Sequence, residues 1–410
     1  MRVKWGKASV AICVAVSMAA CQTLQDHEKE RVVSAEELKM ALADKPVELH
    51  GDYRILLAQG ERNAVLNHAR IGVKAFEMGN IELARKELAA AADRIETIYA
   101  DNTAAKQALG KFVKENIKDF KGEPYERAMV FYYLGLAYLA EGDFENARAS
   151  FKAGEFQDTL SSEEEYQADF ALLNYLSGWA SKCNGDDELA EDAFSVAHEH
   201  RSSLAVPEDD MSTLVIYESG QAPAKFAAGK YDEQLKVRRG YQTGIEEITY
   251  DPDGLNLSLN MAANVYWQAT TRSGREVDAV LAGKAKFKDG MDATGTVLAQ
   301  VGAGAALYGA GAGNRDAALV GLGILVVGLI AKAAAEAAQP DADIRYIDVL
   351  PDTVVLATST FGAAPASFSG RGAEVVQAFP GETCGLVWAR DVSIMKTLPV
   401  RAPNSAAPAT

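Results

Sequence analysis

Four cysteines and five histidines are the side chains with the most chemistry open to them, and their spacing limits it. His198-Glu199-His200 sets two imidazoles on different sides of a helix, whereas zinc held along one helical face needs a spacing of about four. These are read as surface histidines, and His27, His50 and His68 complete no ligand pattern. The run Gly309-Ala310-Gly311-Ala312-Gly313 has no Lys followed by Ser or Thr and does not satisfy the dinucleotide pattern, so it does not read as a phosphate loop. No Gly-x-Ser-x-Gly nucleophile elbow occurs. The acid runs Glu163-Glu164-Glu165 and Asp186-Asp187-Glu188 are explained as solvated helix starts, which the helix dipole favours, rather than as calcium ligands. No catalytic residue, metal or cofactor is expected.

Cys21 is the exception. It follows Met18-Ala19-Ala20 at the end of an uncharged, largely apolar run from Ala8, itself preceded by Arg2, Lys4 and Lys7. A cationic head, a short apolar stretch and small residues at the cut define a secretory signal over residues 1–20. With the cysteine directly after the cut, the site resembles the bacterial lipobox, in which the thiol is acylated before cleavage and becomes the first residue of the mature chain. Each buried methylene contributes on the order of 0.8 kcal/mol, so two or more acyl chains anchor stably where one does not. Gln22, in place of an acidic residue, favours the periplasmic face of the outer membrane. Cys13 leaves with the signal. Only Cys183 and Cys384 then remain in an oxidising compartment, and a disulfide between them stands open against two buried free thiols, because their separation in sequence says nothing about proximity.

The full chain has a formal net charge of −16. The signal removes three of its 41 basic residues and none of its 57 acidic ones, which leaves the mature chain at −19. Phosphate binding needs a concentrated basic face, so nucleic acid is excluded as a partner. The length fits two or three domains, and 48% hydrophobic residues can fill their cores.

Chemistry being scarce, the architecture carries the reading. Residues 131–151 (FYYLGLAYLAEGDFENARASF) resemble a tetratricopeptide repeat. Leu134 and Tyr138 share a helical face, Gly135 admits a partner helix, Gly142 closes the first helix, and Ala147 and Phe151 fill the groove from the second. The pattern recurs at Ile71, Gly72, Gly79, Ala84 and Leu88, and again at Gly178, Gly185, Ala190, Phe194 and Ala197. The spacing between units is irregular, so additional helices are expected, one of them over 103–118. Stacked helix pairs present a concave face that mostly binds peptides or proteins.

After Pro207 strand patterns take over: 213–225, 245–250, 255–259, 353–358, 373–379 and 384–390, with a helix expected from Ala262 to Lys288. Residues 293–331 are almost uncharged and carry Gly295, Gly302 and Gly309, then Gly321 and Gly328, at intervals of seven. Such stripes let helices touch closely. A buried hairpin, contact with a membrane and a loop compete as readings, while the uncharged second arm is shorter than the roughly 20 residues a spanning helix needs.

Three motifs, Gly122-Glu123-Pro124-Tyr125-Glu126-Arg127, Gly220-Gln221-Ala222-Pro223-Ala224-Lys225 and Ala342-Asp343-Ile344-Arg345-Tyr346-Ile347-Asp348-Val349-Leu350-Pro351, together resemble a family of uncharacterised bacterial outer-membrane lipoproteins with tetratricopeptide repeats. The resemblance covers nearly the whole mature chain and implies no enzymatic activity.

The expected protein is α+β. A signal (1–20) and a lipidated flexible tether (21–35) precede an irregular tetratricopeptide-like solenoid (36–205). A smaller α/β-containing domain (206–398) with a glycine-rich helical hairpin follows, then a disordered tail (399–410). Its expected role is non-catalytic: anchored by lipid to the outer membrane, it binds and positions or regulates a periplasmic protein in envelope or cell-wall maintenance. The rival role is a structural part of an envelope transport or secretion assembly, with 293–331 associating with membrane or with other copies. The sequence leaves the oligomeric state open.

Overall fold

A computed structural model of the chain describes residues 30–100, 119–120, 122–159, 170–230, 232–241, 249–251, 257–271, 342–360, 362–364, 367–369 and 373–395. Outside them lie Cys21, the helix expected over 103–118, the acid run 163–165, the glycine-rich segment with Gly295, Gly302, Gly309, Gly321 and Gly328, and the tail 399–410.

The described part of the tether does not hang free: the Arg31 amide donates to the Ala58 carbonyl and Ser34 caps the first helix. That helix, α1 (Ala35–Leu42), and α2 (His50–Gln59) lead into three antiparallel pairs, α3 (Ala64–Glu77) with α4 (Ile81–Ala100), α5 (Pro124–Glu141) with α6 (Phe144–Thr159), and α7 (Ala171–Asn184) with α8 (Asp187–His200). Local chemistry sets the bounds of α5. It begins on a reciprocal capping box between Glu123 and Glu126 with Pro124 in the first turn. It ends at Gly142, whose φ of 76° lets Gly142 N–H and Asp143 N–H bond back to the Leu139 and Tyr138 carbonyls.

Close packing explains the small residues. A Cβ added at Gly72 would lie 2.5 Å from Leu88 Cγ, at Gly135 2.3 Å from Phe151 Cε1, and at Gly178 2.9 Å from Phe194 Cδ1. The bulky partner stands sixteen positions on in every pair. Ala84, Ala147 and Ala190 are buried, as is Leu134, whereas Tyr138 is half-buried beneath the Arg85 guanidinium. Gly79 and Gly185 take positive φ at the ends of the other two first helices.

The remaining elements are β1 (Thr213–Ser219), β2 (Ala224–Ala228), β3 (Gln234–Arg238), β4 (Thr249–Asp251), β5 (Leu257–Ser258), β6 (Asn260–Asn264), α9 (Val265–Thr271), β7 (Thr353–Ser359), β8 (Ser367–Ser369), β9 (Val375–Phe379) and β10 (Gly385–Arg390). Five of these strands form one sheet in the order β6-β7-β1-β10-β9, with β1 and β10 parallel and the other neighbours antiparallel. A two-stranded and a three-stranded sheet accompany it. The strand pattern expected over 213–225 breaks at Gly220, and of that expected over 255–259 the described residues show β5 at Leu257–Ser258. The start of the helix expected from Ala262 is corrected: the chain stays extended to Asn264, because pairing with β7 buries Ala262 and Ala263; Val265–Thr271 coil, and the rest of the expected helix to Lys288 lies outside the described residues. Ladder formation here overrides local preference.

The class is therefore mixed α+β, in layers. The first helices of the pairs are buried along almost their whole length, whereas α8 buries only Ala190, Ala193, Phe194 and Ala197. What covers them is the large sheet: Phe76 of α3 packs on Phe379 and edge-on to Trp388, α5 contacts β10, and α7 contacts β6. Leu214, Ile216, Leu356, Leu386 and Trp388 join the helices in one core, while Val215, Tyr217, Val355, Val387 and Ala389 fill a second core on the opposite face. The face of the first helices, where a peptide was expected to dock, is thus covered by the chain's own sheet. Cys183, in the last turn of α7, is disulfide-bonded to Cys384 just before β10. Among the described residues no helix is long and apolar enough to cross a membrane.

Candidate functional site

The three motifs singled out in the sequence converge between α5 and the strands. Glu126 is positioned by the capping box at the start of α5, and Lys225 reaches it from the inward face of β2. The Lys225 ammonium bonds directly to Glu126 Oε2, donates to the Arg345 carbonyl at 3.1 Å, lies 3.7 Å from Glu123 Oε1 and sits over the Phe120 ring. Glu126 accepts two more donors, the Glu123 amide at 2.7 Å and the Ile347 amide at 2.9 Å. Arg345 stacks on the same Phe120 ring, grips Asp343 through two nitrogens at 2.7 and 2.8 Å, and donates to Asn63 Oδ1 at 2.7 Å. Lys225 and Glu126 are 2% and 0% exposed, which closes them to any ligand. Burial pushes the Glu126 carboxyl above its usual range and Lys225 pulls it back. Every group aimed at its oxygens is a donor, so the arrangement serves the ionised form.

A second charged cluster sits deeper. Along β1 the alternation that turns Leu214 and Ile216 to the helices also turns Glu218 to them, and along β10 it does the same for Arg390 after Leu386 and Trp388. The parallel register sets these two side by side, both fully buried, with Arg390 Nη1 3.2 Å from Glu218 Oε2. Glu218 also accepts from Tyr132 at 2.9 Å, Tyr133 at 2.6 Å and Trp388 Nε1 at 2.9 Å. Burial raises the Glu218 carboxyl, against Arg390, and holds both tyrosine hydroxyls far above their ordinary range. Neighbouring contacts repeat the theme. Glu77 at the end of α3 accepts from Ser393 Oγ and from the Ile394 amide at 2.9 Å, and Arg70 meets Asp348 at 2.6 Å.

Sequence reasoning passed over Glu218, Arg390 and Glu77. The available signal was a charge falling on the apolar side of an alternating strand. His68, which completes no ligand pattern in the sequence, is half-buried rather than a surface histidine: its Nδ1 lies 2.7 Å from Glu87 Oε2, and Glu87 Oε1 accepts from Tyr53 at 2.7 Å. His198 and His200 are exposed, as expected. Among the described residues no group of three His, Cys, Asp or Glu is arranged to hold a metal. The repeat-core residues come together as helix packing, and Cys183 with Cys384 as a covalent tie. An open cleft of about 370 Å³ lies between the α5–α6 turn and the β9–β10 turn. Compared with family models, with curated proteins and with solved structures, the chain matches none.

Proposed function

We propose that this chain is a lipid-anchored protein of the periplasmic face of the outer membrane, built on a tetratricopeptide-like helix array, that binds a partner protein and performs no reaction of its own. The observation that carries the reading is the fate of the three motifs. Glu126 and Lys225 use their hydrogen-bonding capacity on each other and on backbone groups, out of reach of solvent, and the part-buried Arg345 guanidinium is spent on Asp343 and Asn63. They lock the helix array to the strands, and such a rigid body is suited to presenting a surface. The Cys183–Cys384 pairing supports an oxidising compartment, and the signal and Cys21 supply the route to it. The resemblance to outer-membrane lipoproteins with tetratricopeptide repeats makes a cell-wall or envelope protein the partner of choice.

Mass spectrometry of the purified N-terminus, with cross-linking in intact envelopes, tests this. Cys21 should carry lipid, Cys21→Ser should retain its signal, and a single protein should cross-link to the wild type. An unmodified residue 21 refutes the anchor, and the absence of any cross-linked protein refutes the partner.

A further inference from the structure

The large sheet ends on two strands that the chain treats differently. At one edge, β6 is interrupted by a bulge between Met261 and Ala263, and the Met261 carbonyl accepts from Ser203 Oγ at 3.3 Å. A bulge and a side-chain tie blunt an edge against further pairing. At the other edge, β9 reads Val-Val-Gln-Ala-Phe, with no charge, no proline and no bulge. Its outer side meets no strand among the described residues. Gln377 ties the strand to the end of α3 by donating to the Glu77 carbonyl at 2.8 Å.

β9 runs at Phe379 directly into the cleft beside the disulfide. Leu139, Phe144, Phe379 and Pro380 give it apolar walls, and Glu141 and Glu382 its charge. Arg85 already pairs with Glu141 at 2.8 Å, whereas Glu382 is exposed. An aliphatic stem ending in a cation fits such a site. A second copy of this chain fits it poorly: antiparallel pairing of β9 with itself about Gln377 would bring Glu374 of each chain towards Glu382 of the other, between two strongly acidic molecules.

We propose that β9 is a strand-addition site for an extended, apolar segment of the partner protein, whose Lys or Arg side chain enters the cleft against Glu382. Main-chain bonds along β9 would give affinity and the cleft specificity. The proposal rests on the partner-binding reading above and names its surface.

The test uses the full mature chain and a labelled peptide, Arg-Val-Thr-Val-Thr-Val-Arg, followed by fluorescence anisotropy and amide hydrogen exchange. Binding should slow exchange within 375–379. Glu382→Lys, in an exposed turn, should weaken it about tenfold and favour the same peptide ended by Glu. Ala378→Pro should abolish it while the chain stays folded by circular dichroism. The proposal is overturned if the Arg-ended peptide does not bind, if Glu382→Lys leaves binding unchanged, if protection appears elsewhere, or if the wild type forms dimers that Ala378→Pro dissolves. A partner still cross-linked by both variants would sink the site and spare the partner reading. Peptide protection at β9 with no partner cross-linked would do the reverse.

Discussion

Removing the charge of Lys225 is the sharpest test of how the motifs act. Lys225→Met keeps an aliphatic stem but removes the ammonium that lies over Phe120, leaves Glu126, fully buried, with the Glu123 and Ile347 amides as its donors among the described residues, and strips a donor from the Arg345 carbonyl. Breaking a buried pair from one side costs about 3–5 kcal/mol, because the remaining charge is uncompensated. That is a large fraction of the roughly 5–15 kcal/mol by which native proteins are stable. Glu126→Gln combined with Lys225→Met should recover much of the loss, giving a coupling of about 2 kcal/mol or more. The pH dependence has a definite sign. Burial already raises Glu126 above 4.5, and without Lys225 it rises further, so the folded variant binds a proton more tightly than the unfolded chain. The variant's deficit is then smallest at and below the unfolded pKa and grows as pH climbs through the folded one. Urea unfolding at about pH 5 and about pH 8, with the disulfide intact, measures both terms. A Lys225→Met chain within ~0.5 kcal/mol of wild type at both pH values, or a deficit that grows on acidification, would refute the reasoning.

Gly135→Ala should cost about 1–3 kcal/mol, because its Cβ would fall 2.3 Å from the Phe151 ring; Phe151→Ala should cost about 3–5 kcal/mol, and thermal melts unchanged in both would contradict the packing. Glu87 is buried, which pushes its carboxyl up, but hydrogen bonds from His68 and Tyr53 outweigh this and hold it below 4.5. Its stabilisation is present above the unfolded pKa and lost as pH falls through the folded one, so Glu87→Gln should flatten the acid limb of the stability curve, and an unaltered limb would speak against the network. No thiol should titrate in the native mature chain, and reduction of Cys183–Cys384 should lower stability by about 2–5 kcal/mol, read from melts with and without reductant.

The helix pairs were legible because each closes on a contact that only a small residue permits. Gly72, Gly135 and Gly178 face Leu88, Phe151 and Phe194 for steric reasons that leave a trace sixteen positions apart. Gly142 was legible for a different reason, the positive φ that ends α5. Strands β1, β7, β9 and β10 show in runs of β-branched and aromatic residues. β6 does not, since Asn-Met-Ala-Ala-Asn becomes a strand only through its ladder with β7. The disulfide was half legible: the signal and Cys21 led to the expectation of an oxidising compartment for Cys183 and Cys384, but there was no clue to distance until α7 and the start of β10 were packed together. The converging motifs could be seen one by one, and their meeting could not, because Glu126, Lys225 and Ile347 are joined across 99 and 221 positions.

The same long separations explain why charge is retained inside an otherwise apolar sandwich. Apolar faces on α3, α5 and α7 could meet the sheet in several slips, since Leu, Val and Phe accept many neighbours at comparable energy. A buried carboxylate does not accept such slips. Moved by one residue along β1, Glu218 would turn to the opposite face, among Val215, Tyr217 and Val387, and would lose Tyr132, Tyr133, Trp388 and Arg390 together. Glu126 likewise meets Lys225 and the Ile347 amide in only one placement of the strands on the helix array. A buried ion pair adds little net stability over an apolar pair of equal volume, yet any arrangement that breaks it leaves an uncompensated charge. The two clusters therefore act by making every competing register expensive, and they hold the β9 edge and the cleft beside it in one fixed relation to the helices.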